Sequence, residues 1–267
     1  MFRSAKSCYN LAVEAADGVV GKVEQFLFDD QNWAIRYIVV DIGSWIFGKR
    51  VLLSPASIEE ASKEKIVVKN TREQIQNSPT IDTANPVSRI EEQRLHNYYS
   101  WPFYWVYPED YNSLGAALYP GLTKPYAYQP PEEDSALAEK SLRKESELEE
   151  EARKSHLRET KEVGGYSIQA TDEQIGHLED FILDDVHWVI RYLVIDTRNI
   201  LPGKKVLIAP QWTKGIDWNE ALVYVEFDKE TIKDGPEYDP SIPLTRDMEK
   251  RLYNYYERPK YWEETAE

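Results

Sequence analysis

Two pairs of neighbouring carboxylates are the residues of this sequence best suited to chemistry. Asp29-Asp30 and Asp184-Asp185 each follow an apolar run of the chain. Paired carboxylates serve general acid–base catalysis or bind hard cations such as Ca²⁺. Adjacent side chains at the end of a strand point apart, however, and no third acidic ligand follows at regular spacing. We therefore interpret both pairs as turn residues and predict no metal. A cation site at these four positions is the less favoured alternative.

The other groups that could act as a base or nucleophile are isolated. The four histidines, at positions 96, 156, 177 and 187, show no His-x-x-x-His or Glu-x-x-His spacing. Nucleophile-elbow and phosphate-binding glycine motifs are missing as well. The single cysteine, Cys8, excludes an internal disulfide and a zinc site built on several thiolates. The sequence predicts no catalytic residue and no cofactor, and we expect that the protein is not an enzyme.

An internal repeat is the strongest signal in the sequence. Residues 21–55 agree with residues 176–210 at 16 of 35 positions, and residues 86–105 agree with 243–262 at 11 of 20. Many of the mismatches are exchanges among Val, Ile and Leu. Self-similarity at this length indicates a duplicated domain. Each copy can then serve as a control for the other.

Within a copy, the first block predicts β-strands and the second a helix. Residues 22–28 and 33–41 are dense in Val, Ile, Phe and Tyr, with turn chemistry at 29–32. Shorter apolar runs follow at 51–53 and 66–68. Five or six short strands at this spacing predict a small barrel. Ser88-Arg-Ile-Glu91 has the form of a capping box, so a short helix should follow each barrel.

The boundaries follow from composition. We predict a first domain at 1–105, a linker at 106–162 and a second domain at 163–267. Residues 106–131 are rich in proline and tyrosine and should be irregular or extended. Residues 134–161 carry Glu and Arg or Lys four apart and predict a charged helix.

The charge is uneven along the chain. The whole chain has a net charge of −15, the first domain −1 and the second −9. Such a distribution disfavours binding to a phosphate backbone, so we expect no nucleic acid as a partner. The sequence contains no apolar run of about 18 residues, the length needed to span a membrane, and no secretory signal is visible. We expect an acidic cytoplasmic protein.

The first block also resembles a known family, the PRC-barrel family. The resemblance lies in Gly21-Lys-Val-Glu24, Phe28-Asp-Asp30, Trp33, Arg36-Tyr-Ile-Val-Val-Asp41 and Gly48-Lys-Arg-Val-Leu-Leu53, and it recurs in the second copy. It implies the fold of the cytoplasmic part of the photosynthetic reaction-centre H subunit and of the C-terminal domain of the ribosome maturation factor RimM. The implied architecture is mainly β: two six-stranded barrels in tandem, each followed by a short helix, as in bacterial proteins that carry two such barrels. The family uses this fold for assembly or docking, without a shared catalytic site.

Four aromatic residues are in excess in the first copy. Trp45, Phe47, Trp101 and Phe103 correspond to Ile200, Pro202, Arg258 and Lys260, so a common core does not explain them. Aromatic side chains are favoured at interfaces. We name these four as candidates for binding a partner, and packing within their own domain is the alternative.

Arg36 and Arg191 lie among apolar residues in the middle of predicted strands. A buried arginine needs an acidic or carbonyl partner. We expect a structural ion pair for each, for instance with Glu24 or Glu179 on the neighbouring strand.

These observations together favour a non-enzymatic scaffold or adaptor that docks protein partners through its two barrels. Contact between the barrels, or between copies of the chain, is a further form of partner. A sensor that holds a small molecule or a cation between the barrels is the alternative function, and an enzyme of unknown chemistry is the third.

Overall fold

The computed structural model describes residues 1–43, 49–79, 87–105, 156–197 and 204–263. The fold is mainly β, with two seven-stranded sheets and six short α-helices in these ranges. The chain divides into two compact units. The N-terminal unit is formed by Cys8–Glu159, and the C-terminal unit by Met1–Ser7 together with Thr160–Glu267.

The N-terminal unit contains the strands predicted around residues 22–28, 33–41, 51–53 and 66–68 and the helix predicted after Ser88, together with short elements that were not predicted. The strands are β2 (Ala12–Ala15), β3 (Gly18–Asp29), β4 (Ile35–Asp41), β5 (Arg50–Leu53), β6 (Ile58–Ala61), β7 (Lys65–Val68) and β8 (Leu157–Glu159). The helices are α2 (Arg72–Gln76) and α3 (Arg89–Tyr99). Ser88 caps α3 with the predicted capping box, and every residue of β4 except Asp41 is buried.

The C-terminal unit repeats this order. Its strands are β1 (Phe2–Ser4), β9 (Ser167–Gln169), β10 (Gln174–Asp184), β11 (Val189–Asp196), β12 (Lys205–Ile208), β13 (Thr213–Asp217) and β14 (Leu222–Val225). Its helices are α4 (Thr160–Val163), α5 (Lys229–Asp234) and α6 (Arg246–Tyr255). The remaining helix, α1 (Ala5–Cys8), contains the point at which the chain passes from one unit to the other.

Both sheets have the same topology. Their strand orders are β5-β4-β3-β2-β7-β6 and β12-β11-β10-β9-β14-β13. All neighbours are antiparallel except β2 with β7 and β9 with β14. Gly21 and Gly176 let β3 and β10 approach the ends of β4 and β11, because a Cβ there would lie 2.3 and 1.9 Å from a backbone oxygen.

The prediction of two closed six-stranded barrels was wrong in two respects. Each sheet has seven strands, and within the described residues no pairing joins β5 to β6 or β12 to β13 to close the sheet. Pro55 and Pro210 begin a 3₁₀ turn between these strands. A proline has no amide hydrogen for a ladder, so the chain turns there instead of continuing the sheet.

The seventh strand of each sheet is β8 in the N-terminal unit and β1 in the C-terminal unit. Strand β8 pairs with the end of β3, and β1 pairs with the end of β10. The sequence predicts residues 157–159 in the linker and its charged helix, and residues 2–4 in the first domain. The structure differs because Leu157 is buried in the core of the N-terminal unit, where it packs as part of a strand. The rest of the predicted charged helix lies outside the described residues.

Among the described residues, no helix combines the length and the apolar character needed to cross a membrane.

Candidate functional site

The Asp-Asp turns hold cationic side chains of their own unit. Asp29 accepts hydrogen bonds from Arg36, with 3.0 Å between Nη2 and Oδ2, and from the amide of Gln31 at 3.0 Å. Asp184 accepts the equivalent bonds from Arg191 at 3.3 Å and from the amide of Val186 at 3.0 Å, and it also lies 2.7 Å from Nδ1 of His187. Burial alone would raise the pKa of Asp184, but the hydrogen bonds from His187 and the amide of Val186, together with the nearby charge of Arg191, lower it below its usual value.

The second carboxylate of each turn binds the added seventh strand. Asp30 lies 3.1 Å from Nε of Arg158, and Asp185 lies 2.7 Å from Nε of Arg3. Burial raises the pKa of Asp30, while the charge of Arg158 opposes that rise. Within the described part of the chain, no group of three or more His, Cys, Asp or Glu residues is arranged to hold a metal ion.

The prediction that Glu24 and Glu179 pair with the mid-strand arginines was wrong. Arg36 and Arg191 bind Asp29 and Asp184, as described above. The residues proposed for them bind elsewhere: Glu24 accepts a hydrogen bond from Arg50 at 2.6 Å, and Glu179 from Lys205 at 2.9 Å. The β3–β4 and β10–β11 pairings each shift register near the turn, and sequence alone does not place such a bulge.

Each unit also contains a buried glutamate that is bound by two tyrosines and an arginine, here called the glutamate network. In the N-terminal unit, Glu92 is 2% exposed and accepts hydrogen bonds from Tyr37 at 2.9 Å and Tyr104 at 2.6 Å. Arg89 lies 2.7 Å from its other oxygen. Burial raises the pKa of Glu92 and the pKa of Tyr37.

The C-terminal unit contains the same network. Glu249 accepts hydrogen bonds from Tyr192 at 2.6 Å and Tyr261 at 3.0 Å, and Arg246 lies 2.9 Å away. Sequence reasoning missed this network. The sequence did contain one signal: both copies have a glutamate, Glu92 or Glu249, three residues before a helix leucine, Leu95 or Leu252. Because both copies retain the network, we interpret it as structural.

His96 distinguishes the N-terminal unit. It is 3% exposed, with Nε2 lying 2.8 Å from the hydroxyl of Tyr37 and Nδ1 lying 2.8 Å from the carbonyl oxygen of Pro102. Burial lowers the pKa of His96 to about 4. The corresponding residue of the second copy is Tyr253.

The four predicted partner-binding residues are not together in one described surface. Trp101 is 9% exposed, donates a hydrogen bond from Nε1 to Ser57 at 3.1 Å, and stacks on Tyr99 with 4.3 Å between ring centroids. Its burial favours packing within its own unit, the alternative kept for it. Phe103 is partly exposed. Trp45 and Phe47 lie outside the described residues.

A small cavity lies beside these side chains. It is lined by Arg36, Ser54, Ala56, His96, Trp101, Pro102 and Tyr104. Its volume of about 10 Å³ leaves room for one water molecule, and an organic substrate needs a much larger pocket.

Comparison with known proteins agrees with the family resemblance. The family model of the PRC-barrel domain matches residues 5–75, which lie within the first copy. No curated protein matches the chain with significance. Residues 5–75 of this chain therefore match the PRC-barrel domain family.

Proposed function

We propose that this protein is a non-enzymatic docking protein that binds a protein partner through Phe103 and Trp105, here called the aromatic patch. Both side chains are partly exposed, and their ring centroids are 5.1 Å apart. Large aromatic rings suit such a role because they bury much area and lose little rotamer freedom on binding. This pair is the observation that carries the proposal.

The aromatic patch rests on a buried base, which supports a preorganised surface. Phe103 stacks on the ring of His96 with 5.7 Å between centroids, and Trp105 contacts it edge-on at 4.9 Å. The guanidinium of Arg89 lies 4.3 Å from the centre of the Trp105 ring. Side chains already ordered in the free protein lose less entropy when a partner binds.

The second copy serves as an internal comparison. Lys260 stands where the first copy has Phe103, whereas the tryptophan is retained as Trp262. The net charge of −9 on residues 163–267, against −1 on residues 1–105, also favours association through the first copy. Phe103 is therefore the residue most specific to the proposed surface.

The non-enzymatic part of the proposal is supported by the hydrogen bonds and ion pairs that already engage the titratable side chains. Both nitrogens of His96 have partners, and Glu92 accepts two phenolic hydrogen bonds. Asp29 and Asp30 are engaged by arginines. A catalytic acid or base needs to reach a substrate, and these groups reach each other instead.

The experiment replaces Phe103 with the residue of the other copy. Full-length wild type, Phe103→Lys and the control Lys260→Ala are used to capture proteins from a lysate of the source organism, with quantification by mass spectrometry. We expect one partner to be lost with Phe103→Lys only, with affinity reduced about thirtyfold, as for a typical hot spot. Identical captured sets for all three proteins would disprove the docking surface.

Two further expectations belong to the same proposal. We expect the protein to act in the cytoplasm, which cell fractionation tests. We also expect no binding to nucleic acid, which a fluorescence titration with duplex DNA and with RNA at low salt tests, because low salt gives electrostatic binding its greatest strength.

A further inference from the structure

The two sheets exchange one strand between the sequence copies. Strand β1 lies at the start of the first copy but pairs with β10 of the second, and β8 lies at the start of the second copy but pairs with β3 of the first. A shift of 155 residues places Phe2–Ser4 on Leu157–Glu159. The exchange is therefore reciprocal, and each unit is completed by the strand of the other copy.

The two exchanged strands dock in the same register. Arg3 stands opposite Leu183, and Arg158 stands opposite Phe28, which is the residue that corresponds to Leu183. Phe2 stands opposite Asp184, just as Leu157 stands opposite Asp29. Two equivalent acceptor edges thus hold two equivalent strands.

Side chains anchor each strand beyond its few backbone hydrogen bonds. The side chains of Arg3 and Asp185 are 10% and 9% exposed, and the N-terminal amino group of Met1 also pairs with Asp185, so this carboxylate anchors the strand at two points. Arg158 and Asp30 form the same pair in the N-terminal unit. Removing one partner of a buried ion pair is strongly unfavourable. The acceptor edges should therefore select an extended segment with a central arginine.

Apolar contacts add to this selection. Leu157 belongs to the core cluster of the N-terminal unit, together with Leu27 and Tyr37. Phe2 packs against the ring of Tyr192, with 6.2 Å between centroids. A strand added to a sheet edge gains affinity from main-chain bonds and specificity from side-chain pockets, and both are present here.

We propose that each copy of the repeat is the binding partner of the other, and that the exchanged strands hold the two copies together without the connecting segment. Residues 106–155 lie between the copies in sequence. Cutting the chain there leaves β1 in the unit formed by the second fragment, and β8 in the unit formed by the first. The two fragments therefore stay associated as a one-to-one complex.

The test cuts the folded, full-length protein. A specific protease site is inserted near residue 130, the purified protein is cleaved, and its mass is measured by size exclusion with light scattering at micromolar concentration. We expect a single species with the mass of the intact chain, about 31.1 kDa. Two separate species, each folded by circular dichroism, would overturn the proposal.

Charge reversal shows whether the arginines hold the fragments. Arg3→Glu with Arg158→Glu should make the cleaved fragments separate, whereas the control Lys63→Glu with Lys214→Glu, at two exposed positions, should leave them associated. Continued association of the arginine variant would overturn the proposal.

A rescue variant covers the case in which the charge-reversed protein does not fold. Adding Asp185→Arg and Asp30→Arg restores opposite charges at both acceptor edges, and it should restore the folded, associated complex. When one exchanged strand is tested at a time, Asp185→Arg should restore the association that Arg3→Glu abolishes. Rescue of Arg3→Glu by Asp30→Arg alone would mean that each strand pairs within its own copy, and the proposal would be wrong.

Discussion

The ring of His96 and the hydroxyl of Tyr37 are joined by a contact of 2.8 Å from Nε2 to the phenolic oxygen. The other ring nitrogen faces the carbonyl oxygen of Pro102, which can only accept a hydrogen bond. Nδ1 therefore carries a hydrogen. The single hydroxyl hydrogen of Tyr37 is donated to Glu92, so the phenolic oxygen faces Nε2 without donating to it. Burial favours the neutral ring, because it lowers the pKa of His96.

Acid should therefore destabilise the protein through His96. In the unfolded chain the imidazole binds a proton below a pH of about 6.5, whereas in the folded protein its pKa is lowered to about 4. Between these values only the unfolded state is protonated, so stability falls as the pH falls. The loss attributable to His96 should approach roughly 3 kcal/mol below pH 4.

Urea unfolding at pH 7, 5.5 and 4.5 checks this, with His96→Gln as the comparison. The difference between the two proteins isolates His96, because Glu92, whose pKa is raised by burial and which acts in the opposite direction, is present in both. Equal pH dependence in the two proteins would contradict the prediction.

Trp101 should behave as a core residue. Replacement by alanine removes its stacking on Tyr99 and its hydrogen bond to Ser57, and it should cost about 3–5 kcal/mol of unfolding free energy. The counterpart Arg258→Ala, at a partly exposed position, should cost less than about 1 kcal/mol. Chemical denaturation measures both. A Trp101→Ala protein with wild-type stability but a lost partner would instead place this residue on a docking surface.

At Trp33, glycine should be a less destabilising substitution than alanine, the reverse of the usual order. Its φ is +60°, as Trp188 has +52°, and this left-handed conformation strains any side chain. Trp33→Gly should therefore be more stable than Trp33→Ala by about 1 kcal/mol, although both lose the stacking on Phe28.

An exposed strand position serves as the control for this comparison. Val19→Gly should be less stable than Val19→Ala by about 0.5–1 kcal/mol, the usual order. Thermal denaturation of the four variants gives the comparison. A Trp33→Ala variant that is more stable than Trp33→Gly would contradict the strained turn.

The Asp-Asp turns should not bind an essential metal. EDTA, and then millimolar Ca²⁺ or Mg²⁺, should leave the melting temperature unchanged, because arginines already engage these carboxylates. A cation at 100 times its dissociation constant would add about 2.7 kcal/mol. A rise of several degrees that disappears in Asp29→Asn with Asp30→Asn would contradict this prediction.

Local structure was predictable where periodicity and turn chemistry agree. The apolar runs gave β3 and β4, and the capping box at Ser88 gave α3. Strand β4 begins two residues later than expected, because the left-handed residue Trp33 ends the turn. Short strands such as β8 were missed, since three residues carry too little pattern to be recognised.

The site was less predictable because it depends on long-range contacts. The glutamate network and the burial of Trp101 join residues up to 57 positions apart. The arginine partners are only seven positions away, but they depend on the register shift of the hairpin. The duplicate sequence suggested that Trp101 and Phe103 were in excess, yet it could not separate a buried ring from a partly exposed one. That distinction follows from the packing of Trp101 on Tyr99.

The exchanged strand also sets an order of events during synthesis. Strand β1 ends at Ser4 and its partner β10 begins at Gln174, so at 5–20 residues per second the partner follows roughly 9 to 34 s later. Strand β3, complete at Asp29, offers an equivalent edge long before that. We expect the nascent chain to pair β1 with β3 first, and a strand replacement, in which β8 takes that edge, to complete folding after the second copy is made.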